Sequence, residues 1–204
     1  MITLYYSPGA CSLSPHIALR EAGIPFQLER VDLMRGKTLE SGGSYTDVNP
    51  KGYVPALRLE DGQLLTEGAV MVQYIADLKP ESRLAPPNGT FERVRLQESL
   101  HYIATELHKG LAPLFSPIAT EEFKQASKDR FAARLAFLGK ELGERKYLTG
   151  DDFTVADGYA FWTMRIWQSV GKGELTGNLL SYFERIGARP AVQAALEAEG
   201  LTRK

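Results

Sequence analysis

The chain has 204 residues, 44% of them hydrophobic, and 24 basic residues against 25 acidic ones give a net charge of −1. That composition fits a chain with a proper buried core, in one large domain or two small ones, and gives no electrostatic ground for a nucleic acid or an anionic membrane as partner. A lone cysteine excludes an internal disulfide and suits a reducing compartment. With no basic-then-apolar leader and no apolar run of membrane-spanning length, a cytoplasmic protein without a membrane partner is expected.

The opening Ile2-Thr3-Leu4-Tyr5-Tyr6 is strand-like and is broken by Ser7-Pro8-Gly9. A helical segment follows over about residues 12–22 and ends at Gly23. Cys11 sits where that helix begins. A helix N-terminus offers unpaired backbone N–H groups and the positive end of the dipole. Both favour thiolate over thiol and make the sulfur a better nucleophile. The same position also suits a buried, inert cysteine that packs as a small apolar residue. Position alone leaves both readings open.

Residues 26–33 read as a second strand, and a crossover from the first strand implies a parallel pair. A polar stretch with Gly36, Gly42 and Gly43 carries no periodic signal. Residues 56–59 and 63–66 flank Asp61-Gly62, a hairpin signal, and residues 69–78 read as a helix stopping at Lys79-Pro80. Residues 1–80 therefore predict a mixed sheet with helices. Residues 81–89, with Pro86, Pro87 and Asn88-Gly89, read as a linker. Residues 90–204 read as an all-helical domain, with helices near 90–109, 120–143, 155–170, 179–186 and 191–199.

Within that second domain, Thr154-Val155-Ala156-Asp157 has the layout of a capping box with Asp in place of Glu, which gives Asp157 a structural role. Trp162, Trp167 and His16 are read as core or structural residues. His101, Thr105 and His108 fall at i, i+4 and i+7, on one stripe of the expected helix. No metal site is expected, because there is one cysteine and the two histidines stand two turns apart.

Five segments taken in order carry a further signal: Tyr5-Tyr6-Ser7-Pro8-Gly9-Ala10-Cys11-Ser12-Leu13, Val48-Asn49-Pro50-Lys51-Gly52-Tyr53-Val54-Pro55, Leu65-Thr66-Glu67-Gly68, Glu106-Leu107-His108-Lys109-Gly110, and Phe153-Thr154-Val155-Ala156-Asp157. Nearly end to end, the chain resembles the glutathione S-transferases, and among them the bacterial, cysteine-containing beta class. The resemblance implies a thioredoxin-like N-terminal domain, an all-helical C-terminal domain and a homodimer. Glutathione would be a co-substrate, with no other cofactor, and the second substrate a small hydrophobic electrophile.

The resemblance also implies site residues. Val54 would pair its backbone with the cysteinyl part of glutathione, ahead of a cis peptide to Pro55. Glu67 would take the γ-glutamyl ammonium, and the N–H of Gly68 the γ-glutamyl carboxylate. Lys37 would meet the glycyl carboxylate, and Tyr6, His101, Thr105 and His108 would also contact glutathione. Cys11, Ser12, His108 and Lys109 would serve the chemistry at sulfur. Read without the resemblance, Glu67 simply complements a helix dipole and Lys37 is a solvated lysine. Two rival functions stay open on the residues alone. One is a glutaredoxin-like oxidoreductase limited to mixed disulfides, because Ser14 stands where C-x-x-C has its second cysteine. The other is a non-enzymatic binding protein on the same fold.

Overall fold

A computed structural model describes residues 1–202. They form two compact units: residues 1–84 together with the segment from Arg189 onward, and Ala85–Ala188.

The first unit is built on a five-stranded sheet in which β1 (Ile2–Tyr6) is central. β1 pairs in parallel with β2 (Phe26–Asp32), Leu4 opposite Leu28, and antiparallel with β4 (Ala56–Arg58), Leu4 opposite Leu57. The short β3 (Thr38–Leu39) edges β2, and β5 (Leu64–Thr66) edges β4, so the mixed sheet expected from the sequence is present. The β4–β5 hairpin turns at Asp61-Gly62, where Gly62 takes φ +87° and Asp61 accepts the N–H of Gln63 at 2.9 Å. Helices α1 (Leu13–Glu21) and α3 (Gly68–Leu78) pack on each other, and Leu4, Leu13, Ile17, Met71 and Ile75 are fully shielded from water. Tyr5, Val31, Val54 and Ala56 form a second cluster with Tyr45 of the one-turn α2 (Tyr45–Val48).

The second unit contains α4 (Phe91–Tyr102), α5 (Glu121–Leu142), α6 (Val155–Ile166) and α7 (Gly177–Gly187). Thr90 and Thr120 cap α4 and α5 by accepting the N–H groups of Arg93 and Phe123. Two helices expected to run on do not. After α4, residues 103–108 widen into a π-helical turn and 109–115 tighten into a 3₁₀ turn; after α6, residues 167–171 widen in the same way. The second widening has a packing cause: the Trp167 ring lies so close over Gly171 and Gly173 that a Cβ at either would collide with it.

One element falls outside the expected division at 90–204. Helix α8 (Pro190–Ala198) packs on α1 in the first unit, and Arg189 pairs with Glu21 through two contacts of 2.6 and 2.8 Å. Among the described residues no helix is long and apolar enough to cross a membrane.

The capping box at α6 is formed. Asp157 is fully buried and accepts from Thr154 N–H at 2.8 Å, Thr154 Oγ1 at 3.0 Å, Leu148 N–H at 2.9 Å and the Tyr182 hydroxyl at 2.8 Å. Burial pushes its carboxyl above the usual range despite those donors. Thr154→Ala should cost about 1 kcal/mol in urea denaturation. Asp157→Ala should cost roughly 3 kcal/mol, because several buried donors lose their acceptor at once; equal losses for the two variants would contradict this ordering.

Candidate functional site

Cys11 lies in the turn before α1 and is partly exposed. Its thiol donates to the carbonyl of Val54 at 3.2 Å. A carbonyl only accepts, so this contact is made by the protonated sulfur. The surroundings differ from an open helix start. The N–H groups of Ala10, Leu13 and Ser14 are taken by the carbonyls of Ser7, Ala10 and Cys11, because successive turns wind gradually into the helix. Ser12 is fully buried, and its hydroxyl both accepts from and donates to the backbone of Ser7 at 3.2 Å. It braces the loop from within. Ser14 is also buried, its hydroxyl without a hydrogen-bond partner among the described residues.

Val54 leads into the sheet through a cis peptide bond to Pro55. A Cβ on Gly68 would stand 3.9 Å from Pro55 Cγ, an ordinary contact, so the start of α3 lies against the proline. Cys11, Val54, Pro55 and Gly68 are thus contiguous within one unit. Gly68 and Ala69 open α3 with N–H groups that helix geometry leaves unpaired. Glu67, just before them, is held at φ +70°, a region that strains any side-chain-bearing residue. Its exposed carboxylate pairs with Lys51 Nζ at 3.0 Å, and the same ammonium meets Thr66 Oγ1 at 3.1 Å. Free N–H groups beside a carboxylate and an ammonium suit a zwitterionic amino-acid head.

Lys37 folds over Gly52, where a Cβ would collide with its side chain, and its Nζ sits 5.8 Å from the Tyr53 ring centroid. It therefore lies beside the loop segment leading to Val54. Tyr6 turns the other way. Strand alternation gives Tyr5 to the Val54 cluster and sets the Tyr6 ring 6.3 Å from His16. Burial raises the Tyr6 phenol above its ordinary value.

In the second unit the stripe of His101, Thr105 and His108 breaks, because the π-helical turn changes the angle between successive residues. His101 and Thr105 are exposed, and the Thr105 hydroxyl is spent on the His101 carbonyl at 3.0 Å. His108 turns inward. Its Nδ1 lies 2.7 Å from the Tyr159 hydroxyl, and its ring meets Trp162 edge-on at 4.5 Å. Trp162 and Trp167 are buried, as their assignment to the core requires. Lys109 is exposed next to His108. No group of three or more His, Cys, Asp or Glu side chains among the described residues is arranged to hold a metal ion.

Three residues escaped the sequence reading. Lys51 stood inside a segment that was noticed, but nothing linked it to Glu67, sixteen residues on. Tyr159 follows the capping box by two residues, in a largely apolar run that carries no sign of its hydrogen bond to His108. Glu199 carries no local signal, yet its buried carboxylate accepts from Gly9 N–H at 2.9 Å and His16 Nδ1 at 2.8 Å.

Burial, and secondarily the charge of Lys109, lowers the pKa of His108 to about 4. The imidazole is therefore neutral at pH 7. The unfolded chain takes up this proton near pH 6.5 and the folded chain only near 4. Stability should thus fall as pH drops through that window and be unaffected by this group above it. An NMR titration should show His108 inflecting near 4; an inflection near 6.5 would contradict the burial argument.

Comparison with known proteins bears on the whole chain. Residues 9–78 match the glutathione S-transferase N-terminal domain and residues 102–190 the glutathione S-transferase C-terminal domain. The glutathione S-transferase GstA of Escherichia coli O157:H7 is 46% identical over 200 residues, covering 97% of this chain and 98% of the relative. A beta-class glutathione S-transferase of Sphingomonas chungbukensis superposes with a TM-score of 0.93 at 44% identity, over 98% of this chain and all of the other. The bacterial enzyme BphK, solved as a ternary complex, gives 0.94 at 50% identity, again over 98% and 100%. This chain belongs to the glutathione S-transferase family, enzymes that use glutathione as co-substrate.

Proposed function

We propose that the chain joins the sulfur of glutathione to small hydrophobic electrophiles, a detoxifying reaction carried out in the cytoplasm by a homodimer. The glutathione thiolate attacks an electrophilic carbon. Either a leaving group departs with its electron pair, or an activated double bond accepts the pair and is then protonated. The thiol's proton goes to water. The protein contributes position and a stabilised sulfur anion.

The observation that carries this reading is the contiguity of Cys11, Val54, cis-Pro55, Gly68 and Glu67 along one edge of the first unit. A peptide laid there meets the Val54 backbone as an added strand would. Its γ-glutamyl carboxylate faces the N–H groups of Gly68 and Ala69, and its ammonium faces Glu67. Lys37 is at hand for the glycyl carboxylate. His108, which the family resemblance assigns to the chemistry at sulfur, is neutral at pH 7 and would act as a hydrogen-bond donor and not as a cation. The Cys11 thiol could carry a second chemistry: after losing its proton it attacks glutathione disulfide, forms a mixed disulfide with one glutathione and releases the other as thiolate, and no second cysteine is present to resolve it. Exposed Phe91 and Val94 on α4 favour a two-fold partner. The single cysteine and the family's habit favour the cytoplasm.

Two assays run in parallel test the reading: conjugation of a chlorinated nitroaromatic, and reduction of a glutathione mixed disulfide. Wild type should conjugate. Cys11→Ala should abolish the disulfide activity and the glutathione adduct seen by mass while keeping part of the conjugation. Glu67→Ala should raise the KM for glutathione roughly tenfold with kcat little changed. Disulfide reduction without conjugation would overturn the assignment in favour of a glutaredoxin-like enzyme, and absence of both in favour of a binding protein.

A further inference from the structure

The turn that carries His108 is unusual. A π-helical turn, here between the end of α4 and a 3₁₀ turn, costs favourable hydrogen-bond geometry, and such turns are commonly found at functional sites. Here its effect is to swing one imidazole out of a solvent-facing stripe and into an aromatic corner. The corner is rigid on the other side as well. Tyr159 and Trp162 both project from α6, whose first turn is fixed by the buried Asp157 box two residues before Tyr159. Trp162 meets the imidazole edge-on at 76° with ring centres 4.5 Å apart, and the Tyr159 ring does so at 78° and 5.9 Å. Two aromatic planes nearly perpendicular to the imidazole leave it little freedom to turn.

The polar contact in that corner has a direction. His108 Nδ1 and the Tyr159 hydroxyl are 2.7 Å apart. That is short for an N–H donor and ordinary for an O–H donor. The phenol is also the stronger donor of the two, and an imidazole nitrogen with a free lone pair is a better acceptor than a phenol oxygen. We infer that Tyr159 is a positioning residue: its O–H donates to Nδ1 of His108, which fixes the imidazole proton on Nε2. Burial that keeps the ring neutral agrees with a single shared proton between the two nitrogens, Nδ1 unprotonated and Nε2 protonated.

The consequence concerns what His108 can do, and it rests on the reading that this imidazole serves the glutathione sulfur. With its proton on Nε2, the ring has no lone pair left on that side. It cannot take the thiol's proton as a base; it gives an N–H hydrogen bond to the sulfur anion after that proton has gone to water. With the proton on Nδ1, the same ring would be a base at Nε2. Tyr159 decides between these roles without touching substrate.

The test uses the full chain labelled with nitrogen-15, in which three histidines keep the spectrum simple. At pH 7 wild-type His108 should show a pyrrole-like Nε2 and a pyridine-like Nδ1. Tyr159→Phe keeps the ring and removes one oxygen; it should average the two nitrogen shifts and lower kcat about tenfold, with the KM for glutathione within about twofold of wild type. Circular dichroism and a urea midpoint establish that the variant folds. The inference is overturned if wild-type His108 carries its proton on Nδ1, or if Tyr159→Phe leaves the nitrogen shifts unchanged. If the shifts average but kcat holds, the positioning role is overturned. If kcat also holds in His108→Ala, the fault lies with the placement of His108 at the sulfur and not with the tautomer.

Discussion

A carboxylate from near the end of the chain holds the loop that carries the cysteine near its beginning. Glu199 is buried, and its two oxygens are used separately: one accepts the N–H of Gly9, the other the Nδ1–H of His16. The far nitrogen of His16 accepts in turn from Nε of Arg20 at 2.9 Å. A buried carboxylate is tolerated only when donors satisfy it, so these groups hold one another in place. Gly9 fits this arrangement because it takes φ +74°, where a side-chain-bearing residue would be strained. Two residues later comes Cys11, bonded to Val54, and beyond Val54 come Pro55 and the start of α3. The loop that carries Cys11 and its contact with Val54 is therefore tied to a residue just after α8, more than a hundred residues away in sequence.

This explains why the C-terminal segment leaves the helical unit. α8 covers α1, and the two-pronged Arg189–Glu21 pair is partly shielded, a geometry in which an ion pair contributes more than at the open surface. A thioredoxin-like sheet with a bare α1 would expose apolar surface and leave the Gly9 N–H and His16 without their acceptor. The second unit uses the same device once more. Asp157 gathers donors from Thr154, Leu148 and Tyr182, fixes the start of α6, and so fixes Tyr159 and Trp162 around His108. In each unit a buried acid with more than one donor braces the surroundings of one candidate site residue, Cys11 in the first and His108 in the second.

What the sequence made legible was local. The Asp61-Gly62 hairpin, the capping box at Thr154, and the strand–helix–strand opening each rest on residues a few positions apart, and all formed. What stayed hidden depends on partners far along the chain or on departures from regular geometry. Glu199 reads as one more acid in a charged tail, because the residues that need it lie near the other end. The stripe of His101, Thr105 and His108 assumed 3.6 residues per turn, and the wide turn at 103–108 voids that assumption. Strand period alone could have told Tyr5 from Tyr6, since neighbours on a strand face opposite sides. The glycine-rich stretch resisted assignment for a structural reason: Gly36, Gly42 and Gly43 all take positive φ, so no regular period could appear there.

The central claim is that Glu199 sets the cysteine loop and, through it, the glutathione site. Glu199→Gln keeps the shape of the side chain and removes its charge and one of its two acceptors. Amide hydrogen exchange on the intact chain, read together with glutathione affinity by calorimetry, tests the claim most directly. The account predicts faster exchange at Gly9 and the residues through Ser12, roughly tenfold weaker glutathione binding, and unchanged protection in α6. Unchanged exchange at Gly9 with undiminished glutathione affinity would contradict it.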